Sequence, residues 1–278
     1  MLVDGKPRRR RGRPGRSRGD GGGRLRTGRS RAREARRRRG LRAHDLRGRR
    51  ALRPLLAPLG RALVRASLGF VNVNLRSYYA EGSKTLAFEL AEQLGWRAPD
   101  VVAIPIASGA LFHKVGEGFS QLRALGLLDG PPPRQVGGQA EGCQPVATAF
   151  REGKPVTPVR PDSIARSLAI GNPADGDFAV ATARATGGAI HAVPEDAVGE
   201  NMALLARTTG VFGETATGVT LGALRAAVTA GEVGRDDRVV LLVTGDGLKT
   251  LGPVSFTFAP VHIAADADAF LDDVLEAA

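Results

Sequence analysis

Two short apolar runs in this chain each stop at a glycine turn carrying hydroxyls: residues 102–111 read VAIPIASGAL and residues 239–250 read VVLLVTGDGLKT. A continuous apolar run of five or six residues predicts a strand buried on both faces, which is the mark of a parallel sheet covered by helices on two sides. In such a sheet the loop at the strand's carboxyl end is where ligands are held. Two loops of this kind predict one ligand gripped at two points.

The intervening sequence alternates strand and helix signals. Residues 70–75 alternate apolar and polar and predict a strand end. Ser83 is placed to cap a helix whose apolar positions Leu86, Ala87, Leu90, Ala91 and Leu94 follow helical spacing, with Gly95 closing it. Strands are predicted at 101–106, 135–140, 190–193 and, again fully buried, at 238–244. Helices are predicted at 110–125, 146–152, 179–186, 195–208, with Pro194 in its first turn, and 217–230. Residues 163–176 read as loop. This order predicts an α/β fold, a doubly wound, mostly parallel sheet flanked by helices with right-handed crossovers.

Charge divides the chain sharply. Residues 1–66 hold 24 basic against 4 acidic side chains, while the rest holds 16 against 24. The first segment has no Phe, Tyr or Trp and long arginine runs such as Arg36 to Arg39. It cannot bury enough apolar surface to offset chain entropy, so residues 1–66 are expected to be disordered and 69–278 to form the globular domain. Three readings of the segment stay open. It is an arginine tail that neutralises nucleic-acid phosphates, a targeting presequence, or GC-rich DNA translated in a shifted frame. For the last, His44-Asp45-Leu46-Arg47 has a coding possibility, CAC-GAC-CTA-CGA-G, that reads Thr-Thr-Tyr-Glu one base along. The single cysteine, Cys143, excludes an intramolecular disulfide and fits a cytoplasmic protein. No apolar run reaches the roughly 18–20 residues of a membrane span.

The loop Ala107-Ser108-Gly109-Ala110-Leu111 sits between a buried strand and a helix. Backbone N–H groups at a helix start, a glycine and a serine hydroxyl make an anion site. A tight turn with a serine cap explains the same residues, and the spacing matches no dinucleotide or P-loop pattern. The second loop, Thr244-Gly245-Asp246-Gly247, reads by itself as a glycine-rich turn that ends a strand, with Asp246 on its exposed shoulder.

Further segments are Tyr79-Ala80-Glu81-Gly82-Ser83-Lys84-Thr85, Ala140-Glu141-Gly142-Cys143, Ser167 through Gly176 (SLAIGNPADG) and Glu214-Thr215-Ala216-Thr217-Gly218-Val219. Together with the two loops they resemble, in order and over nearly all of residues 69–250, the threonine synthases. These are pyridoxal-phosphate enzymes of the tryptophan-synthase-β-like fold type II family, and the match corresponds to the C-terminal portion, truncated on the N-terminal side. The frame-shifted Thr-Thr-Tyr-Glu also resembles a segment that the family carries shortly before its Gly-Phe-Val-Asn-Val-Asn-Leu. The resemblance implies pyridoxal 5'-phosphate as cofactor, with Ala107, Ser108, Gly109, Ala110 and Leu111 around its phosphate and Thr244 beside its pyridine nitrogen. Departures are Gly213 and Thr217, where the family pattern leads one to expect threonine and glycine, and Ala110, where it leads to serine.

The resemblance also implies a lysine that bonds the cofactor covalently, in a Ser-Phe-Lys-Asp-like context upstream of the matched region, and a substrate-covering Ser-Thr-Gly-Asn loop. Neither occurs in this sequence. Lys84, Lys114, Lys154 and Lys249 are the lysines of the matched part; for Lys84 an ion pair or solvent is expected, for Lys249 solvent or a structural carboxylate. Glu214 is expected either at the pyridoxal ring or on the surface. His113 and His191 lack metal-type spacing and are expected to be structural. The implied reaction is that of a lyase of threonine biosynthesis, converting O-phospho-L-homoserine and water to L-threonine and phosphate, inactive in this chain for want of the lysine. The alternative is a non-catalytic remnant with a nucleic-acid-binding arginine tail. Expected partners are a small-molecule substrate and further copies of the chain in a homo-oligomer, with neither nucleic acid nor membrane.

Overall fold

The chain divides into two compact units, Met1–Phe70 and Val71–Ala278. The computed structural model describes residues 77–254 and Asp266, all in the second unit. The expectations for the arginine-rich segment and for a strand at 70–75 lie outside the described residues.

Helices α1 (Ser77–Gly82) and α2 (Thr85–Gln93) lead into strand β1 (Val101–Pro105). Then follow α3 (Ala110–Ala124), β2 (Arg134–Ala140), α4 (Pro145–Glu152), α5 (Gly176–Ala185), β3 (Ala189–Val193), α6 (Ala197–Thr209), α7 (Thr215–Thr229) and β4 (Val239–Leu241). The four strands form one sheet in the order β3-β2-β1-β4, and every pairing is parallel. The doubly wound α/β fold expected from the sequence is therefore present.

Alternation along β1 explains the two layers. Val102 and Ile104 face one side, where they pack with Ala87 and Ala91 of α2, Phe112, Val115 and Phe119 of α3, Val146 of α4 and Ala179 and Ala183 of α5. Val101 and Ala103 face the other side, against Val198 and Met202 of α6 and Ala216, Val219, Ala223 and Ala227 of α7. All five residues of β1 are buried, as a central parallel strand requires. Within β2, the fully buried Gln139 accepts the Val146 and Ala147 N–H groups at 2.8 and 3.0 Å, so a strand side chain satisfies the start of α4.

Two local expectations are corrected. Ser83 does not cap α2: Lys84 occupies that position with helical φ and ψ of −62° and −28°, and no side chain caps the helix. The chain turns almost without a break from α1 into α2, with the Ser83 and Lys84 N–H groups bonded to Ala80 O and Glu81 O. The last strand is three residues long and half-buried, rather than a fully buried run over 238–244. Among the described residues it pairs only with β1, so one of its edges has no strand beside it.

The strand order reverses between β1 and β4. The chain moves outward from β1 through β2 to β3 with α3, α4 and α5 on one face. It returns through α6 and α7 on the opposite face to reach β4 on the far side of β1. The carboxyl ends of β1 and β4 thus flank a topological switch point, where open α/β sheets bind their ligands.

Candidate cofactor site

After β1 the chain runs on beside β2, Ile106 N–H donating to Gly138 O at 2.8 Å, and then turns at residues 107–109. Gly109 adopts φ +94° and ψ −20° immediately before α3. No acidic side chain occupies the first turn of α3. Leu111 and Phe112 lie in that turn, where N–H groups have no carbonyl four residues back within the helix. Ser108 is buried, and its Oγ accepts the Ala110 N–H over a long 3.4 Å. The serine-cap contact is thus weak, and the loop keeps donors for an anion.

A wall that the sequence did not disclose backs this turn. Asp175 N–H donates to Ser108 O at 2.9 Å. A Cβ on Gly109 would lie 2.6 Å from the Asp175 carbonyl carbon and 3.0 Å from Gly176 N. The residues before α5 are therefore pressed against the β1–α3 turn, and the glycine is what permits it. Farther along the same edge, Glu195 binds two loops together. Its carboxylate accepts Gly142 N–H at 2.9 Å, Ile164 N–H at 2.9 Å and the Ser163 hydroxyl at 3.2 Å. The motif segment around 140–143 signalled that its loop mattered, but not that Glu195 ties it to residues 163 and 164.

On β4, Leu242 N–H donates to Ala103 O at 3.0 Å, extending the β1 pairing. Leu241 lies opposite Ala103. Thr244 is three residues beyond one and Ile106 three beyond the other, so the two loops leave neighbouring strands at the same end. Thr244 itself is exposed. The turn after it is fastened to the start of α7: Gly213 and Asp246 form an antiparallel bridge, Glu214 N–H donates to Gly245 O and Gly247 N–H to Phe212 O, both at 2.9 Å. Glu214 is 5% exposed, which removes the surface placement; its Oε2 pairs with Lys249 Nζ at 2.9 Å. Lys249 thus meets the structural carboxylate expected for it.

Lys84 and Lys114 are held elsewhere. Both bond both of the carboxylates Glu81 and Glu117, at 2.5 to 2.7 Å, in a closed ring of four charges. The hydrogen bonds from Lys114 and Lys84 hold the Glu81 carboxyl down at about 2. The ion pair expected for Lys84 is present, but Lys84 is 5% exposed and solvent is excluded. Lys154 pairs with Glu152 at 3.2 Å on the surface. His113 stacks on Phe178 with ring centroids 5.1 Å apart and shares a 3.0 Å hydrogen bond with Thr182 Oγ1. Burial, and then the Lys114 charge, lower its pKa, so its ring is neutral near pH 7. His191 bonds Glu232 at 2.6 Å. Among the described residues no three or more His, Cys, Asp or Glu side chains gather as a metal site.

A cleft of about 770 Å³, lined by Trp96, Asp100, Pro131, Arg134 and Thr186 among others, opens at the amino edge of the sheet. That is the end opposite both loops, so it has no part in the switch-point site.

Residues 56–245 match the family of pyridoxal-phosphate-dependent enzymes. The chain belongs to that family. The residues present suit its cofactor: hydrogen-bond donors with no acidic side chain in the first turn of α3 suit a phosphate, and the Thr244 hydroxyl stands beyond the end of β4. Pyridoxal 5'-phosphate is accordingly the cofactor that the family and the fold imply. The threonine synthase of Methanocaldococcus jannaschii is 33% identical over 189 residues, covering 67% of this chain and 46% of that protein. The threonine synthase of Methanosarcina acetivorans is 34% identical over 178 residues, covering 63% and 44%. The chain spans about half the length of the curated relatives it matches. In fold it is similar to the processed form of threonine deaminase isoform 2 from Solanum lycopersicum (TM-score 0.55, 16% identity, 67% of this chain and 51% of that one). It is also similar to maize serine racemase (TM-score 0.54, 16% identity, 79% and 60%). Among the described residues, no helix of this family member is long and apolar enough to cross a membrane.

Proposed function

We propose that this chain is the cofactor-holding part of a threonine-synthase-like enzyme, a lyase for O-phospho-L-homoserine, and that the 278-residue protein by itself has no turnover. The observation that carries the reading is the pair of loops, residues 107–111 and Thr244, at the same ends of neighbouring parallel strands beside the switch point. The threonine synthase relatives support the choice of substrate over other chemistries of the fold. When bound, pyridoxal phosphate supplies an electron sink for carbanions next to the amino-acid nitrogen. The chain's own residues divide the work of holding it. The N–H groups at the start of α3 and the Ser108 hydroxyl bind the phosphate. Thr244 would stand at the pyridine nitrogen, where a hydroxyl would leave the ring less electron-withdrawing than a carboxylate partner does. Glu195 ties the neighbouring loops at Gly142 and at Ser163 and Ile164 to each other.

Among the described residues, every lysine amine is held in an ion pair and none is assigned to move protons at the two loops. Lys84 and Lys114 are ringed by carboxylates, Lys154 is on the surface, and Lys249 is committed to Glu214. Losing covalent and general-base catalysis together removes several powers of ten in rate. The test is phosphate release from O-phospho-L-homoserine with pyridoxal phosphate added. No release above background is expected, while turnover on the order of one per second would overturn the reading.

A further inference from the structure

Helix α7 begins at Thr215 after an extended Glu214 (φ −69°, ψ 176°), and its first residues carry three buried threonines. Thr220 is fully buried and gives its hydroxyl to Ala216 O at 2.8 Å, the usual way that a helical threonine is satisfied inside a protein. Thr217 is equally buried, yet among the described residues its Oγ1 has no hydrogen-bond partner. The residue four before it is Gly213, which lies outside the helix and is held in the bridge to Asp246. A buried hydroxyl without a protein partner in a native structure calls for an explanation, and service to a ligand is one.

The same side chain explains both departures noted in the sequence. A Cβ on Gly213 would lie 2.5 Å from Thr217 Oγ1 and 2.6 Å from Thr217 Cβ. Thr217 therefore fills the space that a side chain at 213 would occupy, and the expected threonine and glycine have changed places across one contact. That contact borders the Thr244-Gly245-Asp246-Gly247 turn. We propose that the Thr217 hydroxyl, seated on Gly213, is a second positioning group for the pyridine end of bound pyridoxal phosphate, acting beside Thr244. The inference rests on the cofactor reading proposed for the two loops.

The experiment is equilibrium dialysis of pyridoxal 5'-phosphate against the full 278-residue protein, paired with thermal melts without cofactor. Thr217→Val keeps the shape over Gly213 and removes the hydroxyl. It should raise Kd about 5- to 10-fold, the factor carried by one neutral hydrogen bond, and leave the cofactor-free Tm unchanged or higher. Thr217→Ser should bind within about two-fold of the wild type. Gly213→Thr alone should lower the cofactor-free Tm, and the double variant Gly213→Thr/Thr217→Gly should recover both Tm and affinity. Wild-type affinity in Thr217→Val, or a weakened affinity that Thr217→Ser does not restore, would overturn this inference alone. Failure of the wild type to bind the cofactor at all would instead sink the cofactor reading on which it stands.

Discussion

Replacing Gly109 with alanine tests the architecture of the β1–α3 turn most directly. Two costs arise. The first is conformational: at φ +94° an L-residue with a Cβ pays about 1–2 kcal/mol. The second is steric, since the new Cβ would lie 2.6 Å from the Asp175 carbonyl carbon and 3.0 Å from Gly176 N. Both neighbours are backbone, so neither can swing aside as a flexible side chain would. Relief requires residues 173–176 to move, which breaks the 2.9 Å bond from Asp175 N–H to Ser108 O and disturbs the start of α5. Overpacking of this kind costs about 1–3 kcal/mol, and the lost hydrogen bond about 1 more. The expected destabilisation is about 3–6 kcal/mol, or a Tm lower by roughly 10–20 °C for a domain of this size. Gly126 provides the control. Its φ is +70°, but a Cβ there meets nothing within 4 Å, so Gly126→Ala should cost only about 1 kcal/mol. Urea unfolding followed by far-UV circular dichroism measures both. Equal losses in the two variants would refute the claim that residues 173–176 press on the turn.

Two further outcomes follow from side chains with displaced pKa values. Glu81 titrates at about 2 in the fold against an ordinary 4.5, so its stabilisation is complete above about pH 4.5 and is lost as pH falls toward 2. Thermal melts of wild type and Glu81→Gln should therefore differ at pH 6 and converge near pH 2; a gap that is unchanged across that range would count against the charge ring. Burial, helped by the Glu195 charge, pushes the Cys143 thiol up to about 11 from 9. Its thiolate fraction near pH 8 should be about 100-fold below that of a free cysteine, so Ellman's reagent should label it only when urea unfolds the domain, and fast labelling of the native protein would contradict its burial.

The parts of the fold that the sequence discloses are those set by local pattern. The apolar run 101–106 could only be a two-sided strand, and the helical spacing from Leu86 to Leu94 was unambiguous in type. Boundaries shifted where tertiary bonds intervened. Ser83 was the natural cap by residue type, yet Glu81 and Glu117 draw Lys84 inward and the chain coils straight through that position. The 238–244 run has the composition of a central strand, but among the described residues β4 pairs with β1 alone and its three residues are only half-buried. The site was legible as two loops because each carries its own glycine and hydroxyls. What holds those loops was not. Glu195 reaches Gly142 from 53 positions away, and Asp175 reaches Ser108 from a different crossover altogether. Such contacts are created by the crossovers, and a single sequence has no local signal for them.

The distribution of charge around the switch point bears directly on what the crevice can do. Each amine, ring or thiol of the kind that moves protons near neutral pH is already engaged or silenced in the described part of the chain. Lys84 and Lys114 share two carboxylates, Lys249 is tied to Glu214, His113 is held neutral by burial, and Cys143 is held as a thiol. The groups that the proposed reading uses at the two loops are backbone N–H donors at the α3 start and the Ser108 and Thr244 hydroxyls, which bind and orient without taking a proton. On the reading proposed above, such groups suit an anion at the α3 end and a ring edge at the β4 end. The proposed function therefore assigns the described lysines, His113 and Cys143 to structure and the two loops to holding the cofactor.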